Sequence, residues 1–277
     1  MGTKQSIAII TSLLGAVCVV LYAFASWSLS NTLDTNTYVA NSAIAIDQPQ
    51  IQNEVASTIV ASVIGEAQVP SEIEELLNNG AQFIVASNSF HSFWEFTNRT
   101  MHEIVRDQLI DKTPIDPNGA QINLTSEVDV VLQNLRQIDS RLAQFLPSSA
   151  PQTLIQIADQ ETITQIKDAI NGLQQAKVIT AVLALVMFTI SFLSSGLRRR
   201  SLITPSIGLL AASAVVYGTG QAIPNVAKNF IDDEFRATAQ VVAEHMASSM
   251  SVTAGQILLS SVLFLVIAFF PVRSRRF

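Results

Sequence analysis

Cysteine is nearly missing from this chain: Cys18 is the only one, so no disulfide can close within it. A small disulfide-stapled ectodomain is thereby excluded, and any folded domain must hold by its apolar core. Charge is scarce as well, at 14% Asp, Glu, Lys and Arg against 49% apolar residues. No G-x-S-x-G elbow, phosphate loop, dinucleotide fingerprint or C-x-x-C pair occurs. The three histidines are enough for a Ser–His–Asp arrangement, but the missing elbow gives it no support. The mean hydropathy of +0.37 belongs to a polypeptide that lives partly in lipid.

What is abundant is apolar sequence in long runs. Four of them reach the roughly 20 residues that a bilayer core requires. They are Ile7 to Trp27, Val178 to Leu197, Leu202 to about Ile223, and about Ala254 to Val272, and none contains Asp, Glu, Lys, Arg or His. Charge sets the expected orientation. With the N-terminus inside, the short cytoplasmic pieces carry Lys4, Arg198, Arg199, Arg200, Arg273, Arg275 and Arg276 and no acid. All 22 Asp and Glu then fall on the other side with nine Lys and Arg, as the positive-inside rule demands of short loops. Trp27 suits an interfacial anchor at the exterior end of the first span. Ala23-Phe24-Ala25 resembles a signal-peptide cleavage site, but the run is too long for an h-region, and a retained anchor is expected. The expected location is the plasma membrane, multi-pass, with both termini cytoplasmic and the main domain extracytoplasmic.

The predicted fold class is a mainly α membrane protein: four transmembrane helices plus a mostly helical extracytoplasmic domain carrying a short two-stranded β ribbon. The expected divisions are an anchor over 1–28, the extracytoplasmic domain over 29–177, a transmembrane hairpin over 178–223 with a basic cytoplasmic turn, a second extracytoplasmic helical segment over 224–253, and the fourth span with its basic tail over 254–277. Within the domain, a polar entry from Ser30 to Thr37 leads to a helix near Tyr38 to Ile46. Pro49 opens a second, with Ile51, Val55, Ile59 and Val63 at four-residue spacing. Ser71 and Glu74 match a capping box for a third, in which Gly80 is a weak point; Ser92 and Glu95 repeat the box near the start of a fourth. A further helix is expected from Val128 to Leu142, flanked by the alternating runs "QINLT" and "QTLIQIA", which suggest the ribbon. The last domain helix starts near Asp159, presents Ile163, Ile166, Ile170 and Leu173, and nothing breaks it before the second span. Pro224 is expected to open the second segment, packed beneath the domain.

The stretch "SFHSFWEFTNRTMHEIV", residues 89 to 105, gathers two of the three histidines. On a helix, Phe90, Phe93, Trp94, Thr97, Met101, Ile104 and Val105 share an apolar face. His91, Glu95, Asn98, His102 and Arg106 share a polar back. His91 and His102 would lie about 16 Å apart along the axis, too far for one ion, so a packed structural helix is expected rather than a metal site. The Asp232-Asp233-Glu234 cluster is expected to be a solvated helix start.

"LDTNTYVA" at 33 to 40, "FHSFWEFTNRTMHEIV" at 90 to 105, and the later "INL" and "TLIQIADQETI" resemble a family of actinobacterial integral membrane proteins. These have one N-terminal span, an extracytoplasmic domain and three C-terminal spans. The matching positions are Leu33, Asp34, Thr35, Tyr38, Val39, Phe90, Trp94, Asn98, Arg99 and His102. The resemblance extends over most of the chain, including the triple-arginine turn, and implies topology and source; the family brings no activity with it.

The functional expectation is a non-enzymatic membrane protein whose extracytoplasmic domain binds or braces a partner, as an accessory subunit of a respiratory or envelope-associated complex. The alternative is an outer-face enzyme or ligand-binding protein acting on envelope lipid or glycan beside the His102 helix. No cofactor is expected. The expected partners are the lipid bilayer and either another membrane protein or a second copy. Nucleic acid is a poor partner for so acidic an exterior. A homo-oligomeric transporter ranks last, because the polar groups expected in the spans are limited to Ser, Thr and a few Tyr. Asp34, Tyr38, Phe90, Trp94, Asn98, Arg99 and His102 are the structural or interaction residues to follow.

Overall fold

The computed structural model describes residues 3–64, 70–117, 119–123, 154–194, 199–227 and 236–269, and isolated positions at 125, 129, 132, 133, 136, 137, 148, 149 and 229. The elements in order are α1 (Thr3–Leu33), α2 (Thr35–Ile46), α3 (Pro49–Ile64), α4 (Ser71–Val85), α5 (Asn88–Leu109), β1 (Ala120–Asn123), β2 (Leu154–Ala158), α6 (Gln160–Ser194), α7 (Ile203–Ala227) and α8 (Arg236–Phe269). The helix expected over Val128 to Leu142, the Asp232 cluster, Arg198, Arg273, Arg275 and Arg276 lie mostly or wholly outside the described residues. The chain divides into two compact units. One holds Met1–Thr32, Ile170–Asp232 and Ala243–Phe277; the other holds Leu33–Ala169 and Asp233–Val242.

The first unit is the membrane-spanning one. Four helices, α1, α6, α7 and α8, are long and apolar enough to cross a bilayer. Lipid offers no hydrophobic drive for helix to meet helix, so close packing of small residues and interhelical hydrogen bonds must do it. Both are present. Ser12 of α1 donates to the Thr204 carbonyl of α7 at 2.9 Å, and Ser191 of α6 donates to the Ala8 carbonyl of α1 at 2.8 Å. On the α7–α8 seam, Ser213 donates to the Ala254 carbonyl and Ser261 to the Ser206 carbonyl, each at 2.8 Å. A Cβ added to Gly208 would stand 2.6 Å from Ser12 Oγ and 3.0 Å from its carbonyl oxygen, so only glycine permits α1 and α7 to approach so closely. Ala23, Val216, Met250 and Ala254 form the apolar contact nearer the Trp27 end. There the Trp27 indole donates to the Met246 carbonyl and to Ser249 Oγ, both at 3.0 Å.

The second unit is a helical domain around one apolar cluster. Ile46, Ala56, Val60, Leu77, Ala81, Ile84, Val85, Phe90 and Leu132 are buried together, supplied mainly by α2 to α5. Pro49 opens α3 as expected, since it lacks the N–H that a first-turn position would leave unsatisfied. Gly80 does not break α4; it is buried in it. The antiparallel ribbon joins Ala120 to Ala158 and Asn123 to Leu154, with a register shift after Ala120. Gly119 before it has φ +77°, and a Cβ there would lie 2.0 Å from the Ala158 carbonyl oxygen, so this entry turn requires glycine. Asp159 caps α6 by accepting from the Thr162 N–H at 2.7 Å, and Lys167 of α6 pairs with Asp111.

Several boundaries differ from expectation, each for a local reason. The polar stretch from Ser30 is helical through Leu33, because Asn31 returns its amide to the Trp27 carbonyl and solvates the turn internally. Pro70, not Ser71, sits at the cap of α4 without a side-chain bond. The α5 cap is Ser87, whose Oγ accepts from Phe90 N–H at 3.3 Å, while Ser92 lies a turn inside and donates to the Asn88 carbonyl. Pro224 is inside α7, which runs to Ala227, and α8 is continuous from Arg236 to Phe269, within the fourth apolar run. Helix α6 is continuous from Gln160 to Ser194, as its uninterrupted sequence predicts, although Ile166 is exposed.

Candidate functional site

The candidate residues converge, within the domain, on the line where α2 meets α5. Asp34 sets the geometry of that line. Its extended backbone (φ −84°, ψ 110°) and its carboxylate, accepting from Thr37 N–H at 2.7 Å, start α2 at Thr35. The same hydrogen bond from the Thr37 backbone holds the Asp34 carboxyl below the usual carboxylate range. Helix α2 then presents Thr35, Tyr38 and Ser42 on one face, at the spacing of successive turns.

Helix α5 answers with Trp94, Asn98, His102 and Arg106. His102 Nδ1 lies 3.1 Å from Thr35 Oγ1, and the imidazole stacks on the Tyr38 ring with centroids 4.4 Å apart. Arg106 Nη1 donates to the same Thr35 hydroxyl at 2.7 Å. A guanidinium only donates, so the Thr35 hydroxyl oxygen is the acceptor in that bond. Arg106 also donates through Nε and Nη2 to Asp107 Oδ1, at 3.0 and 2.7 Å, which keeps the Asp107 carboxyl below its ordinary range. Burial pushes the Tyr38 hydroxyl the other way, raising it above the usual phenol value. Trp94 Nε1 donates to the Ser42 carbonyl at 3.0 Å, Asn98 Nδ2 to the Trp94 carbonyl at 2.9 Å, and Arg99 Nη1 to Asn36 Oδ1 at 3.0 Å.

The polar back expected for α5 is therefore only partly a solvated face. Asn98 and His102 are buried, His91 and Arg106 are half-buried, and only Glu95 of that set is exposed. His102 and Arg106 find their partner on α2, in the Thr35 hydroxyl, whereas Asn98 bonds back to the Trp94 carbonyl of its own helix. Phe90 lies in the core, with Phe93 and Trp94 packed against its edge. His91 faces Asp47 at 3.4 Å, away from the seam residues just described. Among the described residues, no three His, Cys, Asp or Glu are placed to hold one metal ion. Of the topology residues, Arg199 and Arg200 fall in a 3₁₀ turn that precedes α7.

Some roles escaped the sequence reading. Thr35 figured there only as a position of the resemblance and not as the hydroxyl that joins α2 to α5, and Ser42 joins the seam through its backbone carbonyl, which no side-chain pattern signals. The spans also hold amides: Gln221 in the third apolar run and Gln256 in the fourth, both exposed, so Ser, Thr and Tyr do not exhaust their polar groups. In comparisons with protein-family models, curated proteins and solved structures, the chain matches none.

Proposed function

We propose that this four-span protein carries its helical domain on the extracytoplasmic face of the plasma membrane, where the domain binds or braces a partner as a non-enzymatic accessory subunit of a larger membrane complex. The observation that carries the reading is the use made of the polar residues around His102. Thr35, His102 and Arg106 bond to one another and tie α2 to α5, and Asn98 bonds back to the Trp94 carbonyl of its own helix, so the residues best suited to chemistry are spent on shape. The domain also exposes Phe83 and Phe96, at 75% and 63%, on the outward sides of α4 and α5, where a partner would find apolar purchase. The positive-inside pattern supports the orientation, and the resemblance to the actinobacterial family supports the plan of one span, domain and three spans.

Purification of the full chain from its native membrane in mild detergent tests the proposal. A second protein of constant identity should co-purify in stoichiometric amount. Phe83→Ser with Phe96→Ser should reduce its recovery severalfold while the unfolding midpoint stays unchanged. Recovery of this chain alone across several detergents would overturn the reading.

A further inference from the structure

We infer that the lipid-facing side of α8 is a self-association surface, on which Gln256 of one copy hydrogen-bonds Gln256 of a second copy of this chain. Three observations support it. The first is depth. Trp27, an interfacial residue type, is bonded to the Met246 carbonyl, and Gln256 lies ten residues further along α8. At 1.5 Å per residue that is about 15 Å inward, near the middle of a core roughly 30 Å thick. Gln221, by contrast, sits beside the Met246 turn, since neighbouring Gly220 faces Ala247 and Met250, and there headgroups and water can reach it.

The second observation is the amide itself. Gln256 is exposed, and no hydrogen bond joins its side chain to any described residue. An amide without a partner in hydrocarbon is strongly disfavoured, whereas the same group facing a partner amide is satisfied. The third is the pattern around it. Val252, Gln256, Leu259, Leu263 and Val266 follow one another at steps of four, three, four and three residues, and all five are exposed. That alternation is the a/d seam of a two-stranded coil, in which a single polar residue at an a position fixes register. A Cβ on adjacent Gly255 would meet nothing within 4 Å, leaving room for a second helix backbone.

Symmetry identifies the occupant. Copies of one chain insert in the same sense, so two α8 helices run parallel about an axis along the membrane normal, and identical residues meet at identical depth. An amide carries both donor and acceptor and can therefore pair with itself. This surface lies in the spans and stands whether or not the domain binds another protein.

The test is disulfide trapping of the full chain in membranes, with Cys18→Ser as background and one cysteine introduced at a time. On oxidation by copper phenanthroline, Leu259→Cys and Leu263→Cys should give a dimer at least fivefold more efficiently than Leu258→Cys, which is exposed but off the seam. Adding Gln256→Leu should cut the trapped dimer about tenfold, and Gln256→Asn should retain most of it. Because the Gln256 side chain has no partner among the described residues, each variant should keep the parental unfolding midpoint. Equal trapping at all three sites, no dimer, an ineffective Gln256→Leu, or trapping only to a chain of another mass would each overturn the inference.

Discussion

The two units of this protein use polar side chains in opposite ways. In the spans, hydroxyls bond to backbone carbonyls of a neighbouring helix, as Ser12, Ser191, Ser213 and Ser261 do. In the domain, side chains bond to one another in series: Arg106 to Thr35, Thr35 to His102, with Tyr38 stacked on the ring. The surroundings explain the difference. Every helical carbonyl has a second lone pair, and in lipid a serine needs only one such neighbour to be satisfied. A domain in water can afford charged members in its seams, because Arg106 and Asp107 keep part of their hydration. The apolar side is reversed too. The domain buries Leu77, Ile46 and Leu132 to exclude water, whereas the spans bury alanine and serine beside a few larger groups such as Val216 and Met250 and leave most of their large apolar side chains to lipid.

The largest expected break in this comparison is Leu77→Ala. Leu77 is fully buried in the domain cluster, and its truncation should cost about 2–5 kcal/mol. Hydrogen exchange in the full chain should then show protection lost in α3 to α5 while α7 and the membrane part of α8 keep theirs. Simultaneous, equal loss in both units would mean that they unfold as one and that the contrast is only architectural.

Thr35→Val comes next. It preserves shape but leaves Arg106 Nη1 and His102 Nδ1 without the shared hydroxyl, an expected cost of about 1–3 kcal/mol. Thr35→Ser should recover most of it. If Val were tolerated without loss in a denaturant titration, the seam would be held by packing of Tyr38 and Trp94, and the series of bonds would be incidental.

How much of this was legible in sequence follows the same divide. The spans were, because long uncharged runs have no other stable home, and so were α3 and the ribbon, where Pro49 and strict alternation speak locally. The seam was half legible. The stripe of His102, Asn98 and Arg106 is evident at helical spacing, but its burial depends on α2, more than sixty residues earlier, and no local rule joins them. A polar stripe facing water and one facing a polar helix read alike. The caps of α4 and α5 misled for a related reason: S-x-x-E recurs at both sites, yet Pro70 and Ser87 precede the Ser-x-x-Glu pairs and start the helices first. Gln256 was missed because an inventory of charged residues passes over a neutral amide, although in hydrocarbon its demand for a partner is nearly as strict.

A smaller effect tests the cap that sets the seam. Asp34→Ala should cost about 1 kcal/mol at pH 7. The Asp34 carboxyl is depressed in the folded protein by the Thr37 N–H, so its contribution is present above the unfolded value of roughly 3.9 and fades as pH falls through the lower folded value. Parent and variant should therefore converge in stability below about pH 4 and differ most near neutrality. A difference unchanged down to pH 2 would assign the loss to packing rather than to the charged cap.

Ser213→Ala is the smallest and the most direct comparison with Thr35. It deletes one buried hydroxyl from the α7–α8 contact and leaves the Ala254 carbonyl with its own helical bond intact. Interhelical hydrogen bonds in membranes average about 0.6 kcal/mol, because a helix released into lipid finds other partners. Unfolding in mixed micelles should register a loss of that order, severalfold below Thr35→Val, whose deleted hydroxyl serves two polar groups instead of one. Equal losses would mean that a lone hydroxyl-to-carbonyl bond binds as strongly as a linked series, and the spans would then owe their arrangement to hydrogen bonding rather than to the close approach that Gly208 and the buried alanines permit.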